Sequence, residues 1–199
     1  MARGEAGAGD VIVADHQTAG RGRFGRTWLS PTGGLYATFL VPSSPKIAVL
    51  AAVAVLRACA RFDVEVALKW PNDVVVDDRK LAGILIETAG DLALVGIGLN
   101  LDQAPLPTAT SLRKLGHSVR RSELVDAVAQ DLQAADDDAL LGDYRRGLST
   151  LGRTVTVAME SGETVSGRAV SVDDEGRLIV ETRDGPRTLS TGECTHLRT

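Results

Sequence analysis

Two rhythms of apolar residues divide this chain. Up to Leu148, long apolar runs alternate with polar breaks; after Leu151-Gly152 the runs shorten and turn-forming pairs punctuate them closely. In the first part, residues 11–14 predict a buried strand, and residues 35–41, rich in β-formers, predict a second. Ser44-Pro45 is a helix start, and residues 46–61 are apolar almost all round, as in a helix buried against a sheet. Runs at 64–68, 74–76, 81–87 and 92–100, with turns at Asp77-Asp78 and Ala89-Gly90-Asp91, predict an antiparallel meander. A helix is expected from about Ser122, with Leu124, Val125, Val128 and Leu132 on one face, then another turn or two over 140–148.

The second part reads as all-β, with strands at 154–157, 164–170, 178–180 and 188–190. Turns at Ser161-Gly162, Asp174-Glu175-Gly176 and Asp184-Gly185 give the spacing of a small barrel. A module of about 47 residues is marginal for an independent core, so it is expected to dock on the larger part.

Composition narrows the classes. With 199 residues, 44% hydrophobic and 24% charged, the chain has enough apolar mass for one large core or one core plus a small satellite. A net charge of −4 argues against a surface that coats nucleic acid, which needs clustered positive charge to replace counterions. Cys59 and Cys194 are far apart and suggest neither a disulfide framework nor a zinc site. The apolar run 47–56 stops at Arg57, short of the roughly 20 residues of a bilayer span, and the first ten residues hold no signal-peptide core. A cytoplasmic protein without a membrane partner is expected.

Against that acidic background, Gly20-Arg21-Gly22-Arg23-Phe24-Gly25-Arg26-Thr27-Trp28 stands out. Arginine supplies planar, permanently charged donors that match carboxylate and phosphate oxygens, and glycine lets backbone approach a ligand closely. Trp28 adds an aromatic face. The bland alternative is a solvated basic turn. Gly20-x-Gly22-x-x-Gly25 also formally satisfies the dinucleotide fingerprint, but that motif must open a helix. Here Pro31, Gly33 and Gly34 follow at once, and no acidic residue stands at the ribose-binding distance.

Three further motifs carry chemistry. Lys69-Trp70-Pro71-Asn72-Asp73 places charge beside a fixed-φ proline; Asn72 and Asp73 could orient phosphate or a divalent metal, Asp73 being the better ligand for a hard cation. Read plainly, it is an Asn-Asp turn with Lys69 reaching to solvent. Arg79-Lys80-Leu81-Ala82-Gly83-Ile84-Leu85-Ile86-Glu87 puts Lys80 at the mouth of an apolar strand whose small residues leave room for a flat ligand. Gly96-Ile97-Gly98-Leu99-Asn100 ends the next strand, where glycines mark close approach and Asn100 could bond a nucleotide.

In this order the four motifs closely resemble the biotin protein ligase family, in its monofunctional type without a DNA-binding domain. The resemblance implies an α+β fold: a class II synthetase-like catalytic domain over residues 1–149, of mixed, mostly antiparallel sheet with helices, and a C-terminal SH3-like barrel over 150–199. It implies that biotin's carboxylate attacks the α-phosphate of Mg-ATP to give biotinyl-5′-AMP, which a lysine of a carboxylase's biotin carboxyl-carrier domain then attacks. By the same resemblance Gln17, Arg21, Gly22, Arg23 and Lys80 meet biotin and its adenylate, and Gly83 and Leu85 line the ring pocket. Arg23, Arg26, Trp28, Asn72 and Asn100 meet the nucleotide, with Asp73 at a metal-linked position. Arg21, Arg23 and Lys80 are the expected catalytic cations, biotin, ATP and Mg2+ the small molecules, and a homodimer through sheet edges is open; no DNA partner is expected.

Family members usually carry a Ser-Thr-Asn segment upstream of the first strand found here, and Met1 falls in what resembles the loop just before that strand. About one strand and one helix are therefore expected to be missing, with weak biotin binding as the consequence. Two other readings stay open: a lipoate ligase or octanoyltransferase, which shares the fold, and a non-catalytic module that binds a ligand or partner.

Overall fold

The protein, in a computed structural model that describes residues 6–133 and 139–197, is built on two antiparallel sheets. Strand β1 (Val11–Ala14) runs into an arginine- and glycine-rich loop, followed by β2 (Leu35–Pro42), helix α1 (Ile47–Ala60) and strands β3 (Ala67–Lys69), β4 (Asp73–Val76), β5 (Arg79–Ala89) and β6 (Leu92–Leu99). The sheet order is β1-β2-β6-β5-β4-β3, so β3 to β6 form the expected meander and β2 inserts beside its last strand. Helices α2 (Arg121–Gln133) and α3 (Leu140–Gly147) follow.

Two-residue alternation gives this sheet unlike faces. Phe39 pairs with Val95 and Ala37 with Ile97, all buried on the side that the helices cover. On the opposite face Thr38, Gly96 and Leu85 stand in one row, and Tyr36, Gly98 and Gly83 in the next. A sheet with bulk on one side and glycine on the other has a floor for something flat.

The second sheet comprises β7 (Thr154–Ala158), β8 (Thr164–Val172), β9 (Leu178–Thr182), β10 (Gly185–Leu189) and β11 (Glu193–His196), in the order β10-β9-β8-β7-β11. It docks as expected of so small a module, since one buried apolar cluster runs through both parts. Trp70, almost fully buried, is the pin. Its backbone N–H donates to Thr150 Oγ1 at 3.0 Å and its indole Nε1–H to the Gly176 carbonyl at 3.1 Å.

Three local expectations change. The first strand forms but is not buried: Ile12 is 59% and Val13 45% exposed, because β1 is the outermost strand and its two faces lie open. The strand expected over 64–68 shrinks to β3, because Val64 instead closes the end of α1, its N–H donating to the Cys59 carbonyl at 3.1 Å after a left-handed Asp63. Strand β10 begins at Gly185, and β11, with the polar sequence Glu193-Cys194-Thr195-His196, has too little apolar signal to be seen beforehand.

Candidate active site

The loop between β1 and β2 folds as a narrow ribbon. Trp28 N–H donates to the Gly20 carbonyl at 2.9 Å, Gly22 N–H to the Arg26 carbonyl at 2.7 Å, and Arg26 N–H to the Arg23 carbonyl at 3.2 Å. A side chain at Gly20 would strike Ser30 Oγ at 2.8 Å and Gln17 Oε1 at 3.0 Å, so the ribbon closes there only on glycine. At its tip Phe24 takes left-handed backbone (φ 56), and Arg23 and Arg26 lie over its ring at 4.9 and 6.0 Å from the centroid.

This ribbon arches over the glycine face of the sheet and encloses a cleft of about 400 Å³. Every residue to which the family resemblance gave a place in the site lines it: Gln17, Arg21, Gly22, Arg23, Arg26 and Trp28 from the ribbon, Asn72 and Asp73 at the start of β4, Lys80, Gly83 and Leu85 on β5, and Asn100 after β6. The cleft carries four cations against two carboxylates, Asp73 and Glu87, in a chain whose net charge is negative. Its field favours an anion.

Lys80, Arg21 and Arg23 each have a partner within the cleft. Lys80 Nζ lies 2.5 Å from Asp73 Oδ1 and 5.3 Å from the Trp28 ring centroid. Arg21 reaches Glu87 at 3.1 Å, with both groups largely open to water. Arg23 Nη1 donates to Asn72 Oδ1 at 3.4 Å, and Asn72 is itself fixed by donating to the Ile84 carbonyl at 2.9 Å. Burial, and after it the neighbouring Arg26, lowers the Arg23 guanidinium's pKa from its ordinary value, while Asp73 and Glu160 oppose the shift. An arginine stays charged there regardless.

Glycines 83 and 98 have a different occupant from a ligand ring. A methyl at Gly98 would come within 2.5 Å of Trp28 Cε2 and Nε1, and one at Gly83 within 3.2 Å of Trp28 Cζ3. Trp28 is therefore seated on these strands, and among the described residues its Nε1 is buried with no hydrogen-bond partner. The remaining floor, around Gly96, Thr38 and Leu85, stays open. Asn100 is buried, its amide donating to the Thr110 carbonyl at 3.0 Å, and so it also ties down the loop that flanks Lys80.

Asp73, considered above as a metal ligand, is the counter-ion of Lys80, and among the described residues no three His, Cys, Asp or Glu side chains cluster as a cation cage. The motifs missed Thr38 and Leu106 of the lining, and they contained Glu87 without giving it a role. Thr38 is legible only once the register of β2 against β6 sets it beside Gly96.

The chain matches the model of the biotin/lipoate A/B protein ligase family over residues 3–102 and that of the biotin protein ligase C-terminal domain over residues 150–197. A biotin acetyl-CoA-carboxylase ligase of Mycobacterium tuberculosis is 36% identical, with all of this chain and 84% of that protein covered. The bifunctional ligase/repressor BirA of Escherichia coli is 31% identical over 92% of this chain, which spans 64% of that longer protein. The biotin protein ligase of Aquifex aeolicus, solved in complex with biotin and ATP, superposes with a TM-score of 0.84 at 29% identity, covering 99% of this chain and 92% of that one. With half the chain matched by the first family model and a 36% identical relative covered over 84% of its length, the chain belongs to the biotin/lipoate A/B protein ligase family.

Proposed function

We propose that this protein joins biotin to a lysine of a carboxylase's biotin carboxyl-carrier domain at the expense of ATP. The observation that carries the reading is the convergence of Arg21, Arg23, Arg26 and Lys80, drawn from two distant segments, on one cleft with an apolar, glycine-floored end. The relatives' activity and the biotin and ATP held by the Aquifex aeolicus enzyme support it.

In the first step a carboxylate oxygen of biotin attacks the α-phosphorus of ATP; the P–O bond to pyrophosphate breaks and an acyl-phosphate anhydride forms. Two anions must meet, so fixed positive charge and exclusion of water are the chemical needs. Lys80 and Arg21 bear on the carboxylate, with Arg23 and Arg26 on the phosphates. Leu85 and Gln17 border the biotin end, whereas Trp28, seated on Gly83 and Gly98, offers its free face to the nucleotide, beside Asn72 and Asn100. In the second step the acceptor lysine's amine attacks the acyl carbon and AMP leaves. Mg2+ bound with ATP would neutralise charge on its phosphates, and Asp73 would be the carboxylate at hand to hold it.

Residues 1–149 would then form the catalytic part and 150–199 its C-terminal domain, in a cytoplasmic enzyme. The open edge of β1 is the surface through which two copies would pair. Incubation with biotin, ATP and a carrier domain tests the function: we expect pyrophosphate release that requires biotin, and one biotinyl group on the carrier. Release driven as well by lipoate or octanoate, or by none of the three acids, would overturn the assignment.

A further inference from the structure

The tip of the arginine ribbon is held by the second sheet. Arg23 Nη2 donates to Thr191 Oγ1, its Nη1 to the Gly192 carbonyl at 3.4 Å, and Arg26 Nη1 to Glu193 Oε1 at 2.7 Å. These acceptors form the turn from β10 into β11. That turn has little freedom to drift, because Glu193 and Cys194 pair with Ala158 and Val157 of β7. Gly192 adopts φ 145, where a side chain would crowd the Ala158 carbonyl at 3.2 Å.

We propose that this turn is a working part of the nucleotide site, with Thr191 and Glu193 as positioning residues for Arg23 and Arg26. The inference rests on the reading above, in which those guanidiniums receive the phosphates of ATP. A nine-residue segment with three glycines is expensive to order, at about 1–2 kcal/mol per residue fixed. A ligand that has to order the ribbon itself spends binding energy doing so; a ribbon already clasped from the neighbouring sheet removes that cost.

The chemistry of the acceptors fits the task. Arg23 is held by a hydroxyl, a carbonyl and the Asn72 amide oxygen, all neutral, which fix its direction without cancelling its charge and leave its other donors for an anion. Arg26 faces a carboxylate, but both side chains of that pair are more than half exposed, so water screens it and the guanidinium can turn to a phosphate. Neither Thr191 nor Glu193 needs to touch the substrate.

The test uses the whole chain, wild type and with Thr191→Val, Thr191→Ser, Glu193→Gln and the Thr191→Val/Glu193→Gln pair. The readouts are KM for ATP, KM for biotin and kcat of biotin-dependent pyrophosphate release, with trypsin cleavage after Arg21, Arg23 and Arg26 measured without ligands. We expect the double variant to raise KM for ATP about tenfold while KM for biotin stays within about twofold. The ribbon should be cut faster in that variant, and Thr191→Ser should behave as wild type. A folded double variant whose KM for ATP is unchanged would overturn the proposal, even if its melting temperature fell, since the turn would then serve stability alone. A wild-type chain that released no pyrophosphate would instead bring down the functional reading, and this inference with it.

Discussion

A single methyl group separates two states of Trp28. At Gly98 it would sit 2.5 Å from the indole, nearer than atoms can approach, and the neighbour on that side is the body of a ring, not a flexible tip. Gly98→Ala should therefore unseat Trp28 while the sheet survives, since extended backbone accepts alanine readily. The chain has only two tryptophans, so emission recorded in a Trp70→Phe background reports Trp28 alone. A red shift on adding Gly98→Ala, with ATP binding weakened about tenfold, is the expected outcome. Lys80 makes a complementary case, because its ammonium is partly open to water and its loss leaves no hole in the core. Lys80→Ala should slow biotin-dependent pyrophosphate release by about 10²- to 10³-fold with a nearly unchanged melting temperature. Release at the wild-type rate would remove Lys80 from the chemistry.

Individual elements show where local pattern suffices and where it stops. Helix α1 and strands β5 and β6 could be read from the sequence, because a long apolar run bounded by turn residues has few alternatives. Strand β11 could not; it is placed by pairing with β7, and of its side chains only Cys194 joins the apolar core. The cleft divides the same way. Arginines and glycines crowded into nine residues announce an anion site by their chemistry, whereas Thr191 and Glu193 lie about as far along the chain as contacts can reach and carry no local mark. The Lys-Trp-Pro-Asn-Asp segment holds both kinds of information, as Asn72 steadies Arg23 while Trp70 faces the other way and ties β3 to the second sheet. Trp70→Phe keeps most of the ring volume but leaves the buried Gly176 carbonyl without its donor. A loss of about 1–3 kcal/mol in denaturant unfolding is expected, and a loss below about 0.5 kcal/mol would mean that packing alone does the pinning.

At the scale of the whole molecule, the two sheets meet through a group that titrates. His196 Nδ1 faces Arg153 Nη1 at 3.3 Å and its Nε2 lies 3.0 Å from Thr150 Oγ1, which also accepts the Trp70 N–H. Arginine can only donate, so Nδ1 accepts, and the neutral ring carries its proton on Nε2 and gives it to Thr150. A second proton would place N–H against N–H at Arg153. Burial first, then the charges of Lys69 and Arg153, hold the imidazole's pKa down to about 4 against an ordinary 6.5, with Asp78 pulling weakly the other way. Between those values the unfolded chain binds the proton that the folded chain refuses, so acid favours unfolding. The stabilisation is complete above pH 6.5 and drains away as pH falls towards 4. Because the ring keeps some contact with water, its size is of order 1 kcal/mol, or about 2–4 °C in melting temperature. Glutamine can donate and accept at the same two points without titrating, so His196→Gln should melt near the wild type at pH 7 and lose less stability than the wild type on moving to pH 5. Parallel pH slopes for the two proteins would assign the acid sensitivity to other groups and leave the junction between the sheets indifferent to pH.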